Sequence, residues 1–220
     1  MVRSADALSR RGRPATTRWV VAGAIWLLAV TAGFGALLRY ASTPAPPDDS
    51  APARWPATTA LTRAGARSQL VLFAHPHCPC THASVTELAR LMGRFHDRLD
   101  ARVLIVQPPG AGDEWSDSAL RERARGIPGV KVFLDRDGVE ARRFGAVASG
   151  TVLLYDRGGR LLFHGGITAS RGHEGRSFGQ ERIASLLTTG RADSDQAPVF
   201  GCVLFDAPTS PARRPPHVDS

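Results

Sequence analysis

Cysteine and lysine are both scarce in this sequence of 220 residues. The three cysteines, Cys78, Cys80 and Cys202, are too few for a small fold that is held together by several disulfides. Their odd number instead allows one disulfide and one free thiol, or a metal site. Lys131 is the only lysine, so arginine carries nearly all of the positive charge, a bias that we attribute to base composition rather than to function.

Aromatic residues make up only 7% of the chain and are not interleaved with the basic residues. The net charge of +8 therefore lacks the pattern that single-strand nucleic-acid binders show. About half of the excess precedes a hydrophobic stretch, where a single acidic residue, Asp6, opposes Arg3, Arg10, Arg11, Arg13 and Arg18. Beside a membrane segment, such a cluster has a topological role, and we expect no nucleic-acid partner.

Residues 19–38 form an unbroken stretch without a charged residue. About 20 apolar residues span the core of a bilayer as a helix, and Trp19 and Tyr40 lie where amphipathic rings favour the membrane interface. We therefore predict a transmembrane helix over residues 19–40. Because the basic residues 1–18 precede it, this tail should stay in the cytoplasm. The rest should be periplasmic, in a single-pass protein of the bacterial inner membrane.

A cleaved signal peptide is the alternative for the same stretch. The apolar core of a signal peptide is typically ~7–15 residues long and is followed by small residues at the cleavage site. The stretch found here is longer, which favours an uncleaved anchor, although Tyr40-Ala41-Ser42 follows it closely. Both alternatives place the remaining chain outside the cytoplasm.

The remaining chain divides into three parts by composition. Residues 41–67 are rich in Pro, Ala, Ser and Thr, which predicts a semi-extended spacer without a core. Residues 68–190 alternate apolar runs with amphipathic segments, and we predict that they form one domain. Residues 191–220 are rich in proline, which predicts an irregular C-terminal tail.

Apolar periodicity in the predicted domain indicates strands and helices in the order β-α-β-α-β-α-β-β-α. The predicted strands cover residues 69–74, 101–107, 130–134, 151–156 and 160–164. Helices are predicted after the turn at residues 75–82, over 113–125, over 139–144 and over 178–189. Alternating strands and helices imply an α/β fold with parallel strands and crossover helices, and the late hairpin makes the sheet mixed.

Cys78 follows the first buried strand, at the point where a helix is predicted to begin. Unpaired backbone N–H groups and the positive end of the helix dipole stabilise a thiolate there, and the thiolate is both the nucleophile and the metal ligand. A disulfide between Cys78 and Cys80 would close a tight, strained ring that is easily reduced. Cys202 is a second possible partner, because the chain after the last helix is long enough to return.

The segment FAHPHCPCT, from Phe73 to Thr81, resembles the signature of thioredoxin-like proteins, in which a strand that ends in Phe leads to Cys-x-x-Cys at the start of a helix. The resemblance covers residues 68–189 and implies a thioredoxin-like three-layer sandwich with Cys78 as the nucleophile. Thr81 stands where the family has its second cysteine and is expected to donate a hydrogen bond to the thiolate. Gly150 replaces the cis-proline that guides the substrate backbone in the family, so Gly150 and Thr151 are the expected substrate-binding residues.

A narrower resemblance comes from the strings HPHCPCTHAS, LLFHGGIT and RGHEG, with a late FGC. These strings are similar to those of membrane-anchored, RedB-like bacterial proteins. The departures at Thr81 and Gly150 count against an ordinary dithiol reductase.

Three functions are consistent with these residues. The first is a thiol–disulfide oxidoreductase that needs no cofactor and acts on protein thiols or disulfides: Cys78 attacks, and Cys80 or Cys202 resolves the mixed disulfide. The second is a copper- or zinc-binding or metal-delivery module without catalysis, because thiolate and imidazole suit these metals. Its ligands would be Cys78, Cys80, His77, His82 and His173. The third is a partner-binding domain that has kept the fold and lost the chemistry; we favour the first.

Overall fold

The computed structural model describes residues 15–46, 50–63, 65–115 and 118–205. The chain forms two compact units, residues 1–40 and residues 41–220. Helix α1 (Ala15–Ser42) is long and apolar enough over Thr17–Ser42 to cross a membrane. A signal sequence near the N-terminus would meet the same criteria, so α1 agrees with both interpretations of the sequence. Most of the predicted cytoplasmic tail lies outside the described residues.

A six-stranded mixed sheet forms the centre of the second unit, with the strand order β3-β2-β1-β4-β5-β6. The strands are β1 (Ser68–Ala74), β2 (Leu99–Gln107), β3 (Val130–Arg136), β4 (Val152–Tyr155), β5 (Leu161–Gly165) and β6 (Gln196–Ala197). Strands β1, β2 and β3 are parallel, whereas β4 runs antiparallel to both β1 and β5. This arrangement confirms the predicted α/β fold with a parallel part and a late hairpin.

Helices cover both faces of the sheet and make three layers. The helices after α1 are α2 (Pro79–Phe95), α3 (Ala119–Arg125), α4 (Val139–Arg143) and α5 (Phe178–Thr189). Side chains of α2, α3 and α5 such as Leu88, Leu120 and Ile183 pack on one face, in a core that also contains Leu70 and Leu72. On the opposite face, Ala141 of α4 and Phe144 pack with Val71, Phe73 and Leu104. The alternation of β1 between the two cores explains why its sequence is continuously apolar.

The predicted helix over residues 113–125 is interrupted. A 3-10 turn covers Asp113–Trp115, and α3 begins at Ala119. The Ser118 hydroxyl accepts the Arg121 N–H at 3.3 Å and caps α3. Serine stabilises a helix at this boundary better than in its interior, which accounts for the later start.

The prediction of a spacer over residues 41–67 is wrong for residues 50–63, which pack on the second face of the sheet. The Trp55 ring lies 5.2 Å from the Phe144 ring and 5.3 Å from the Tyr155 ring. The Trp55 N–H donates to the Gly159 carbonyl at 2.7 Å, and Leu61 is buried. Trp55 and Leu61 hold this segment against the sheet in spite of its Pro- and Ala-rich composition. The aromatic ring of Trp55 contributes most, because such a ring buries a large area.

Candidate active site

Cys78 lies at the N-terminus of α2, as the sequence predicts. The turn after β1 brings it to the N-cap position in an extended conformation (φ −87°, ψ 111°), and Pro79 starts the helix. Proline is favoured at this first position because its ring fixes a helical φ and its missing N–H is not needed there. The thiol therefore lies where unpaired N–H groups and the helix dipole favour negative charge.

A second thiol comes within van der Waals contact of the first. The Cys202 Sγ lies 3.2 Å from the Cys78 Sγ, although the two residues are far apart in sequence. Cys78 is only 1% exposed, whereas Cys80 and Cys202 are half-buried. The structure thus brings Cys202 to the predicted nucleophile.

Cys202 is held in place by residues 201–205, which we call the tail strand. This segment runs antiparallel to residues 147–149, the binding strip, with a bridge between Ala148 and Val203. The Ser149 N–H donates to the Cys202 carbonyl at 2.8 Å, and the Leu204 N–H donates to the Val147 carbonyl at 2.8 Å. The prediction of an irregular tail missed this pairing, which depends on partners more than 50 residues away.

Two hydroxyl groups, those of Thr81 and Ser149, meet near the start of α2. The Thr81 Oγ1 lies 2.5 Å from the Ser149 Oγ, and the Ser149 Oγ accepts the His75 N–H at 2.8 Å. A hydrogen bond from the Thr81 side chain is one of the interactions that lower the pKa of the Cys78 thiol. Ser149 was missed at the sequence level; its only signal was its place next to Gly150.

The surroundings of Cys78 lower the pKa of its thiol. Burial raises this pKa, but the hydrogen bonds from Thr81 and from the backbone and side chain of Cys202 outweigh it, and the net pKa lies below the ordinary value. Cys78 is thus the thiol of the group that ionises most readily.

The other two thiols are shifted in the opposite direction. Burial and the nearby Cys78 raise the pKa of Cys80, and the positive charge of Arg171 offsets part of this increase. Burial, a hydrogen bond with Cys78 and the negative charge of Cys78 raise the pKa of Cys202 to about 11. Cys78 is therefore the most acidic of the three thiols, and a thiolate is the attacking species in thiol–disulfide exchange.

Arg171 is a site residue that the sequence did not single out. It lies in the loop between β5 and α5, forms a hydrogen bond with Cys80, and lowers the pKa of both Cys80 and Cys202 by its charge. Its backbone N–H donates to the Ala41 carbonyl at 2.9 Å, which fixes the loop. The sequence singled out His173 in the same loop as a possible metal ligand, but His173 is exposed.

The two predicted substrate-binding residues are paired with β1. The Gly150 N–H donates to the Phe73 carbonyl at 2.8 Å, and the Phe73 N–H donates to the Thr151 carbonyl at 2.9 Å. The Thr151 hydroxyl donates to the Ala148 carbonyl at 2.7 Å. Gly150 and Thr151 thus pair with β1, whereas the backbone groups that pair with the tail strand belong to the adjacent binding strip.

The predicted metal ligands are dispersed. His77 is exposed and packs edge-on against Trp115, with ring centroids 4.5 Å apart. His82 is half-buried on α2. Burial and the charge of His77 lower the pKa of the neighbouring His75. Among the residues that the structure describes, no three His, Cys, Asp or Glu side chains are grouped so that they could hold a metal ion.

Solved structures of other proteins share the fold of this domain. A hypothetical protein from Sinorhizobium meliloti 1021 superposes with a TM-score of 0.53 at 22% identity, over 64% of this chain and 80% of that chain. An uncharacterized conserved protein from Geobacillus kaustophilus gives a TM-score of 0.56 at 17% identity, over 74% of this chain and 96% of that one. No protein-family model matches the sequence, and no curated protein matches it.

The order of the elements identifies the fold. A parallel β1-α2-β2 unit, a third parallel strand, an antiparallel β4–β5 hairpin and a closing helix follow one another along the chain. The domain has a thioredoxin-like fold. Its thioredoxin-like features include a cysteine at the start of the helix after the central strand β1.

Proposed function

We propose that this protein is a thiol–disulfide oxidoreductase in which Cys78 is the nucleophile and Cys202 is the resolving cysteine. The observation that carries the proposal is the distance of 3.2 Å between the two sulfur atoms. A disulfide bond is about 2.05 Å long, so its formation needs an approach of little more than about 1 Å. The lowered pKa of Cys78 and the raised pKa of Cys202 support these roles.

The proposed reaction is two successive exchanges. The Cys78 thiolate attacks one sulfur of a protein disulfide, and the second substrate sulfur leaves as a thiolate. The Cys202 thiol loses its proton and attacks the Cys78 Sγ; the bond to the substrate breaks, and the first substrate sulfur leaves as a thiolate. The substrate gains two electrons, and Cys78 and Cys202 become a disulfide. A partner dithiol reverses the same steps to restore the reduced pair.

Cys80 has a supporting role in this proposal. Its thiol has a raised pKa, so it stays protonated when Cys78 ionises. A ring closed by Cys78 and Cys80 would be strained, whereas Cys202 approaches on a separate strand. The CxC motif then supplies a neighbouring hydrogen-bond donor rather than the resolving cysteine.

The setting that we propose is the outer side of a bacterial inner membrane, with α1 as the anchor. The length and composition of α1 support it, as does the arginine cluster before it. Disulfide chemistry is sustained in such oxidising compartments. Membership of the RedB-like proteins stays a prediction from the sequence strings.

Trapping of mixed disulfides tests the proposal. We expect the full-length Cys202→Ser variant to accumulate mixed disulfides between Cys78 and protein substrates, because the proposed resolving thiol is gone and Cys80 would have to close a strained ring. The matched Cys80→Ser variant should accumulate none and should form a Cys78–Cys202 disulfide on mild oxidation. Non-reducing electrophoresis and peptide mass spectrometry measure both. Trapping by Cys80→Ser instead of Cys202→Ser would show that the CxC pair resolves the intermediate.

A further inference from the structure

The tail strand occupies the space that a substrate needs. Cys78 is 1% exposed, and Cys202 lies directly against its sulfur. An external disulfide must bring its own sulfur to the same place, in line with the Cys78 Sγ. Substrate and tail strand therefore exclude each other.

The tail strand is held by its backbone in a way that an extended peptide could reproduce. Ser149 and Val147 of the binding strip provide one donor and one acceptor, both at 2.8 Å, to residues on either side of Val203. Backbone pairing of this kind supplies affinity, while pockets for individual side chains supply specificity. The side chains of the tail strand therefore show what the site accepts.

Two apolar side chains of the tail strand are anchored and one is not. Leu204 is buried in the core of the second face. Phe205 lies over Gly138, where an added Cβ would be 2.3 Å from the ring, and the Arg142 guanidinium carbon lies 4.4 Å from the ring centroid. Val203, between these residues and the cysteine, is 54% exposed. The site thus selects at the second and third positions after the cysteine, and not at the first.

Glycine is required at the position before the cysteine. A Cβ on Gly201 would lie 1.7 Å from the Ser149 carbonyl oxygen and 2.8 Å from its carbon, and both are backbone atoms that cannot rotate away. Only a residue without a Cβ can pass this close to the binding strip.

We infer that the tail strand is an internal substitute for the client, and that clients present an extended segment of the pattern Gly-Cys-x-apolar-aromatic that displaces it from the binding strip. This inference rests on the proposed function and names its substrate class. As the client segment binds, its disulfide sulfur is attacked by Cys78 and its partner sulfur leaves as a thiolate. When the tail strand returns, Cys202 attacks the Cys78 Sγ, the client thiolate is expelled, and resolution and release become one event.

Accessibility of Cys78 tests the first half of the inference. The full-length chain in detergent micelles carries Cys80→Ser and Cys202→Ser, so that Cys78 is the only thiol, and its alkylation by iodoacetamide is followed by mass spectrometry. Adding Gly201→Ala should lift the tail strand and raise the alkylation rate roughly tenfold or more, the change expected when a pair of backbone hydrogen bonds is lost. Gly93→Ala is the matched control, because Gly93 lies on α2 with open space around its Cβ position. An unchanged rate in Gly201→Ala overturns the inference.

Three synthetic peptides test the second half. They carry the sequence VFGCVLF of residues 199–205, the same sequence with alanine for the glycine, and the same with alanine for the second valine. In each peptide, the cysteine forms a mixed disulfide with thionitrobenzoate. When Cys78 of the Gly201→Ala chain attacks the peptide sulfur, thionitrobenzoate is released, and its absorbance is followed. We expect the first and third peptides to react at similar rates, and the second at least about tenfold more slowly.

The outcomes separate the two proposals. Equal rates for all three peptides overturn the client pattern and leave the oxidoreductase proposal intact. If Cys78 is alkylated quickly but exchanges with no peptide and with no small aromatic disulfide, the oxidoreductase proposal fails. Alkylation needs no redox partner, so it reports on the tail strand in either case.

Discussion

At the level of single residues, a chain of hydroxyl groups connects the backbone to the reactive sulfur. The Ser149 Oγ accepts the His75 N–H, so its own hydrogen can be donated to the Thr81 Oγ1 at 2.5 Å. Thr81 is then able to donate to the Cys78 Sγ. Hydrogen bonds in such a chain polarise one another, and the chain ends on the group that becomes negative. Thr81 thus favours the thiolate of Cys78 without competing for a disulfide.

Replacing this hydroxyl should make Cys78 a weaker acid. In the Cys80→Ser background, Thr81→Val removes the donor with little change in shape, so we expect the pKa of Cys78 to rise towards the ordinary thiol value. The fraction of thiolate at neutral pH, and with it the rate of exchange, should fall. Absorbance of the thiolate at 240 nm against pH measures the midpoint of the first transition.

The matched control for this titration is Thr86→Val on the same helix, because the hydrogen bonds of the Thr86 hydroxyl are with the His82 carbonyl, Glu174 and Arg123. Cys78→Ser should abolish the first transition altogether and so assigns it. A first transition that does not move in Thr81→Val would show that helix position and the tail strand alone lower the pKa.

At the level of elements, the segment before β1 completes the second face of the sheet. Trp55 packs against both Phe144 and Tyr155, and the Arg102 guanidinium carbon lies 5.6 Å from the Trp55 ring centroid. The Tyr155 hydroxyl donates to the Pro52 carbonyl at 3.1 Å. Residues 50–63 thus cover aromatic surface behind β1, the strand that presents Cys78.

We expect Trp55→Ala to destabilise the domain by about 3 kcal/mol, at the lower end of the range for Trp-to-Ala changes because Trp55 is only half-buried. Urea unfolding of the full-length protein in detergent micelles, followed by circular dichroism, measures the loss. Phe178→Ala is the control, since Phe178 is 73% exposed and its removal should cost less than about 0.5 kcal/mol. Equal midpoints for the two variants would mean that residues 50–63 contribute no stability.

The elements of the domain were predictable because their signals are local. The apolar run of β1 and the helical spacing of Val85, Leu88 and Met92 depend on near neighbours in sequence. The same is true of Cys78, which is marked by the strand before it and the helix after it. The fold class followed from the order of these elements.

Local sequence patterns could not predict the contacts between distant parts of the chain. The packing of Trp55 and the burial of Leu204 each depend on a surface that exists only once the sheet has formed. The sequence showed that Cys202 could reach Cys78, but not that a glycine and two apolar residues would place it there. Arg171 was missed for the same reason, because the direction of its side chain depends on the folded loop.

At the level of the whole molecule, the second unit begins at Ala41, so residues 41–45 are part of the domain. The Ala41 carbonyl accepts the N–H of Arg171, and the Ala45 N–H donates to the Val199 carbonyl at 2.7 Å. Arg171 in turn acts on Cys80 and Cys202. Cleavage within Tyr40-Ala41-Ser42 would therefore remove or release a backbone partner of the loop that carries a site residue.

We expect the chain to remain uncleaved and in the membrane. The apolar stretch is longer than a signal-peptide core, and Ala41 has a structural role that an intact chain preserves. After expression in a Gram-negative host, alkaline carbonate extraction should leave the protein in the membrane pellet, and its intact mass should include residues 1–41. A fusion that replaces residues 1–40 by a cleavable signal sequence provides the soluble reference. Recovery of the native chain in the periplasmic fraction with a mass that begins near Ser42 would show that α1 is a signal peptide, and the domain would then act as a free periplasmic protein.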